Sequence, residues 1–128
     1  MAEGGNDILS LGWDAGGVIA DFQAVKLSDD MTVVQVAAEG DMWIGIPQWS
    51  VSAAEITAGK GASVRLIGTS LVRVGVGGVT RGTIAVCDAT GKAVASNSGA
   101  RPLGLVLVSG VAGDLVPVLL QPGQLAVA

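Results

Sequence analysis

Two Gly-Lys pairs, Gly59-Lys60-Gly61-Ala62 and Gly91-Lys92-Ala93, come nearest in this sequence to a phosphate-binding loop. That chemistry needs Ser or Thr after the lysine, a glycine five residues before the Gly of the Gly-Lys pair, and a helix whose first backbone N–H groups point at the phosphate. Neither pair has any of these, so each reads as a turn glycine beside a lysine. No helical pattern follows Gly75-Val76-Gly77-Gly78, which excludes a dinucleotide fingerprint as well.

Lys92, within Asp88-Ala89-Thr90-Gly91-Lys92-Ala93, is superficially like the modified lysine of a swinging-arm carrier domain. Carrier hairpins put that lysine at the tight turn directly after an acidic or methionine residue; here Gly91 precedes it and Lys92 opens the returning strand. Apart from Asp29-Asp30 the carboxylates are scattered, with no Asp-x-Asp-x-Asp-Gly spacing for calcium and few aromatics to ring a glycosidase pair. Histidine is absent, which removes His triads, His zinc sites and a His base working near neutral pH. Cys87, the single cysteine, lies in the apolar run Ile84-Ala85-Val86-Cys87 and reads as a buried thiol. No catalytic residue, metal ligand or cofactor is therefore assigned. Among the tryptophans, Trp43 alternates with Ile44 and reads as core, whereas Trp49, beyond Pro47 in a polar stretch, reads as an interface residue.

Seven Lys and Arg against eleven Asp and Glu leave a net charge of −4, and an acidic surface disfavours nucleic acid as a ligand. The longest late stretch free of charge and proline, Leu103 to Gly113, spans 11 residues. A membrane helix needs about 20. Glu3 and Asp7 stand where a signal peptide would carry basic residues, so synthesis in the cytoplasm is expected. With half the residues hydrophobic and little charge, some apolar surface is expected to be covered by other subunits.

The elements that must carry these residues are short and apolar, separated by turns every eight to twelve positions, as in an all-β sandwich or barrel with one core. Strands are predicted at Gln23 to Leu27, Thr32 to Ala37, Met42 to Pro47, Ala62 to Gly68, Leu71 to Gly75, Thr83 to Cys87, Lys92 to Ser96, Leu103 to Ser109 and Leu115 to Leu120. Pro117 predicts an edge or a bulge for the last of them. Ser52 to Ile56 is the one candidate helical turn. A weak internal repeat runs through this pattern: Ala24 to Asp29 matches Ile84 to Ala89 at an offset of 60, and Ile44-Gly45-Ile46 matches Leu103-Gly104-Leu105 at 59. It predicts two similar β lobes in one domain. The chain divides into an N-terminal arm at 1–16, a β domain at 17–122 and a tail at 123–128. The arm is expected to be mobile in the free protein and dispensable for folding, with Ile8, Leu9, Leu11 and Trp13 as anchors and Trp49 as a further contact.

Ala24-Val25-Lys26-Leu27, Gly45-Ile46, Gly61 to Leu66, Arg81-Gly82-Thr83, Asp88 to Val94, Leu103-Gly104-Leu105 and Gly113 to Leu119, in that order, resemble tailed-phage head decoration proteins, also called capsid cement. The resemblance covers Gly17 to Leu120 and rests on the succession of segments, no single one being specific. It implies a small β-tulip or barrel, trimers on the outside of an expanded capsid at local three-fold positions, and no catalysis. The major capsid protein and further copies of the chain would be its partners, and the virion exterior its location. The longer arm and the segment from Trp49 to Thr57 depart from the family. A small β-barrel carrier, or an adaptor binding a peptide at a sheet edge, is the alternative.

Overall fold

The structure, a computed structural model, describes residues 7–38, 41–95 and 102–120, with side chains from residue 12 onward. Among the described residues the chain forms β1 (Asp7–Ala15), β2 (Val25–Asp29), β3 (Thr32–Gln35), β4 (Trp43–Pro47), α1 (Ala53–Thr57), β5 (Ala62–Arg73), β6 (Ile84–Cys87), β7 (Ala93–Ala95), β8 (Pro102–Val106) and β9 (Leu115–Leu120). The fold is all-β, as the spacing of turns and β-branched runs predicts. Neighbours in the sheet run β1-β3-β2-β4-β5-β9-β8-β6-β7, and β1 pairs with β5 as well, closing β1 to β5 into a five-stranded barrel. From the C-terminal half of β5 a second lobe grows through β9, β8, β6 and β7, and a parallel bridge from Val74 to Ala93 returns β7 to the end of β5.

Backbone pairing makes the internal repeat exact in register. The pairs Val25↔Gln35, Lys26↔Val34 and Leu27↔Val33 of the first hairpin recur as Ala85↔Ala95, Val86↔Val94 and Cys87↔Ala93. Val25↔Gly45 and Lys26↔Trp43, with a bulge between them, recur as Ala85↔Gly104 and Val86↔Pro102, with the bulge in the same place. Leu11↔Val64, Gly12↔Ser63 and Trp13↔Ala62 recur as Ser70↔Val118, Leu71↔Pro117 and Val72↔Val116. The first repeat therefore comprises β1 to β4 and the start of β5, and the second comprises the end of β5 and β6 to β9.

Four expectations are corrected. Residues 7–15 are a strand rather than a free arm: β1 lies antiparallel to β5 and parallel to β3, so its backbone groups are already paired within the chain. The two strands predicted around Gly68 are one, β5, because Gly68 at φ 111° bends the ladder without ending it. β9 lies between β5 and β8 and is no edge. Pro117 is tolerated there because its carbonyl accepts from Leu107 N–H, so its nitrogen faces the same side, past the end of β8 at Val106. The interior is two apolar clusters rather than one core. Ile19, Val25, Val33, Val51, Ala62 and Val64 fill the first lobe. Their counterparts Val79, Ala85, Ala93, Val116 and Val118 fill the second, with Trp43 and Ile46 joining them from the first.

The turns follow the local sequence. Ser52 caps α1 in a reciprocal box with Glu55, matching the predicted helical turn. Gly91 takes φ +86° in the β6–β7 turn, the conformation expected of it. Its counterpart in the β2–β3 turn is Met31, a non-glycine residue at φ 49° with an exposed side chain. Cys87 is buried, as predicted.

Candidate functional site

On the first lobe, β1, the β2–β3 turn and the two chain segments flanking α1 enclose an open groove of about 490 Å³, lined by Gly12, Trp13, Asp14, Met31, Trp49 and Gly61 among others. Strand alternation places Trp13 half inside, packed on the first apolar cluster. Its indole N–H is shielded from solvent and has no hydrogen-bond partner among the described residues. Such a donor costs about 1–3 kcal/mol while unpaired. Gly61 lets β1 approach, since a Cβ there would stand 2.6 Å from the Trp13 carbonyl oxygen. Met31 and Trp49 stand at the rim, 55% and 45% exposed, more than large apolar side chains usually are in a free monomer.

A chain of contacts from α1 holds Trp49. Lys60 Nζ lies 5.8 Å from the centre of its ring, within cation–π range. The same ammonium donates to Glu55 Oε2 at 2.7 Å, while Glu55 Oε1 accepts from the Ser52 backbone N–H at 2.9 Å. The Lys60 hydrogen bond first, and the Ser52 N–H second, hold the Glu55 carboxyl at about 2, well below its ordinary 4.5. Because the folded value is the depressed one, the latch stays ionised in the folded protein until pH approaches 2, while its contribution to stability, complete above pH 4.5, declines from there downward. Acrylamide quenching of the Trp49 share of fluorescence, isolated with Trp49→Phe, should be flat from pH 7 to about 3 and rise as pH approaches 2. Glu55→Gln should show the raised quenching already at pH 7; a Glu55→Gln protein quenched like wild type at neutral pH would show that α1 does not hold this tryptophan.

Two of the five residues singled out in the sequence, Trp13 and Trp49, meet in this groove, although 36 positions separate them. For Ile8, Leu9 and Leu11 the backbone lies in β1, and their side chains lie outside the described residues. The tail at 123–128 lies outside them too. Trp43 is core, as predicted: it is 1% exposed and its indole N–H donates to the Pro102 carbonyl at 3.2 Å. Met31, Asp14 and Lys60 escaped sequence reasoning. The repeat itself carried the signal for Met31, because an offset of 60 sets it against the turn glycine Gly91. Exposed apolar side chains beside one carboxylate, that of Asp14, are the means of a binding surface.

No protein-family model matches the chain, and no curated protein matches it in sequence. Its fold is similar to that of the crystal structure of head fiber gp8.5 N base in bacteriophage phi29, at a TM-score of 0.66 and 17% identity, over 91% of this chain and 97% of that one. At this identity the likeness is one of fold.

Proposed function

We propose that this chain is a structural protein of a phage head, bound on the outside of the capsid, where it stabilises the shell and performs no catalysis. The observation that carries the reading is the fold shared with the phi29 head fiber base over nearly the whole of both chains. The ordered resemblance of residues 17–120 to capsid cement points the same way from the sequence, although no family model matches. An acidic chain without histidine suits a protein that binds other proteins rather than the packaged DNA. The major capsid protein is its partner, and three copies seated at a local three-fold position are the assembly that the resemblance implies. A ligand that binds only the assembled lattice stabilises it by mass action, and several copies gripping together add avidity.

The test uses purified chain and expanded capsids built from the major capsid protein encoded nearest its gene. Saturable co-sedimentation and a higher capsid disassembly temperature are expected; capsids that pellet without the chain overturn the proposal. A second reading, an anchoring base for a longer fiber, is favoured by what the similar structure is, a head fiber base. It predicts the same co-sedimentation with an unchanged disassembly temperature.

A further inference from the structure

Inside the chain, besides the continuous β5, the first lobe docks on the second through a short segment, residues 21–24. Arg73 N–H donates to the Phe22 carbonyl and Ala24 N–H donates to the Gly91 carbonyl, both at 2.8 Å. Phe22 packs on the second lobe's apolar cluster, and Asp21 Oδ1 lies 3.4 Å from Arg73 Nη2. The segment thus seats between the end of β5 and the β6–β7 turn.

The repeat maps each part of this joint onto a residue at the surface. Thr80, Arg81, Gly82 and Thr83, the counterparts of residues 20–23, are exposed, whereas residues 20–23 are half-buried by the second lobe. The seat maps onto the groove: Val72, Arg73 and Gly91 correspond to Trp13, Asp14 and Met31. The ion pair maps with its signs reversed. Asp21 beside Arg73 becomes Arg81 on the segment and Asp14 at the seat. Both are exposed, and among the described residues neither has an ion-pair partner.

We propose that the groove at Trp13, Asp14 and Met31 receives residues 80–84 of a second copy of this chain, head to tail, with Arg81 of one copy against Asp14 of the next. Charge complementarity selects this pairing. A first-lobe segment of another copy would bring Asp21 to Asp14, and like charges at a joint disfavour it. The seat differs from its counterpart at two places. Asp14 N–H donates to the Met31 carbonyl at 3.0 Å, where Arg73 donates to the incoming segment, and Met31 carries a side chain where a Cβ at Gly91 would stand 2.7 Å from Ala24 N and O, so Ile84 of the second copy must sit farther out than Ala24 does. Docking transfers that N–H to the Gly82 carbonyl of the second copy. A joint of this kind uses two different surfaces, so it closes a ring or continues as a chain of copies. The joint rests on the repeat alone; a ring of three copies, six lobes around, rests in addition on the virion reading.

The test needs no capsid. Sedimentation equilibrium of the full chain should show concentration-dependent self-association, and Asp14→Arg and Arg81→Asp should each raise the dissociation constant at least about tenfold. Combining the two in one chain restores the pair with its polarity reversed and should recover most of the loss. Circular dichroism of each variant keeps folding separate from association. As a second readout, Asp14→Cys with Arg81→Cys should give disulfide-linked multimers under oxidation, and neither single variant should. A wild-type chain that stays monomeric at millimolar concentration overturns the joint, and so does association that both charge reversals leave unchanged. Failure to bind capsids, with self-association intact, would count against the virion reading only.

Discussion

Gly104→Val should lower the melting temperature by roughly 10 °C, corresponding to about 3 kcal/mol, and Gly45→Val should do nearly as much. The two glycines are counterparts in the repeat, each at the point where β8 or β4 leaves its hairpin for the next strand. A Cβ at Gly104 would land on the Leu119 carbonyl, and one at Gly45 would stand 2.5 Å from the Arg65 carbonyl oxygen and 2.6 Å from Val64 Cγ1. A backbone carbonyl faces each glycine, so turning a side chain such as Val64 away would relieve neither clash. Gly12→Ala is the control: nothing lies within 4 Å of its Cβ, and the melting temperature should move by no more than about 2 °C. Thermal scans of the three variants decide it. A Gly104→Val protein that melts with wild type would mean the strands are farther apart than described.

Deleting residues 1–12 should cost the first lobe its fold. The sequence invites the opposite expectation, a dispensable arm, but those residues include most of β1, paired with β5 from Asp7↔Gly68 to Gly12↔Ser63. Removing them opens the barrel on the β5 side, bares the edge of β5 and leaves Trp13 and Ala62 without the ladder that closes over them. The truncated chain should lose protection from hydrogen exchange in β2, β3 and the first half of β5, and should melt at least about 10 °C lower or without cooperativity. If it melts like the full chain, β1 is an optional strand and the barrel does not depend on its closure.

Much of this was visible in the residues. Alternation of Val64, Leu66, Val72 and Val74 with Arg65 and Arg73 marks β5, and the 60-residue offset of Ala24 to Asp29 marks the two lobes. β1 was hidden although Leu9, Leu11 and Trp13 alternate with Ser10 and Gly12, because a strand at a terminus gives no sign of its partner. Its repeat counterpart is the end of β5, and Trp13 against Val72, or Asp14 against Arg73, shares no residue type. Pairing registers alone reveal that equivalence. The groove was half legible, since tryptophans outside the alternating pattern draw attention, but Met31 and the inverted charge pair needed coordinates.

β5 is the last strand of the barrel and the first of the second lobe, 12 residues without a break. Most paired modules are joined by a linker and can swing. Here the beam that crosses from one lobe to the other is hydrogen-bonded along its length, to β1 and β4 at one end and to β9 at the other. Load applied to either lobe passes along a covalent backbone held by neighbouring strands over its whole length. A body of that kind works as a gauge: whatever two surfaces it touches are held at one spacing.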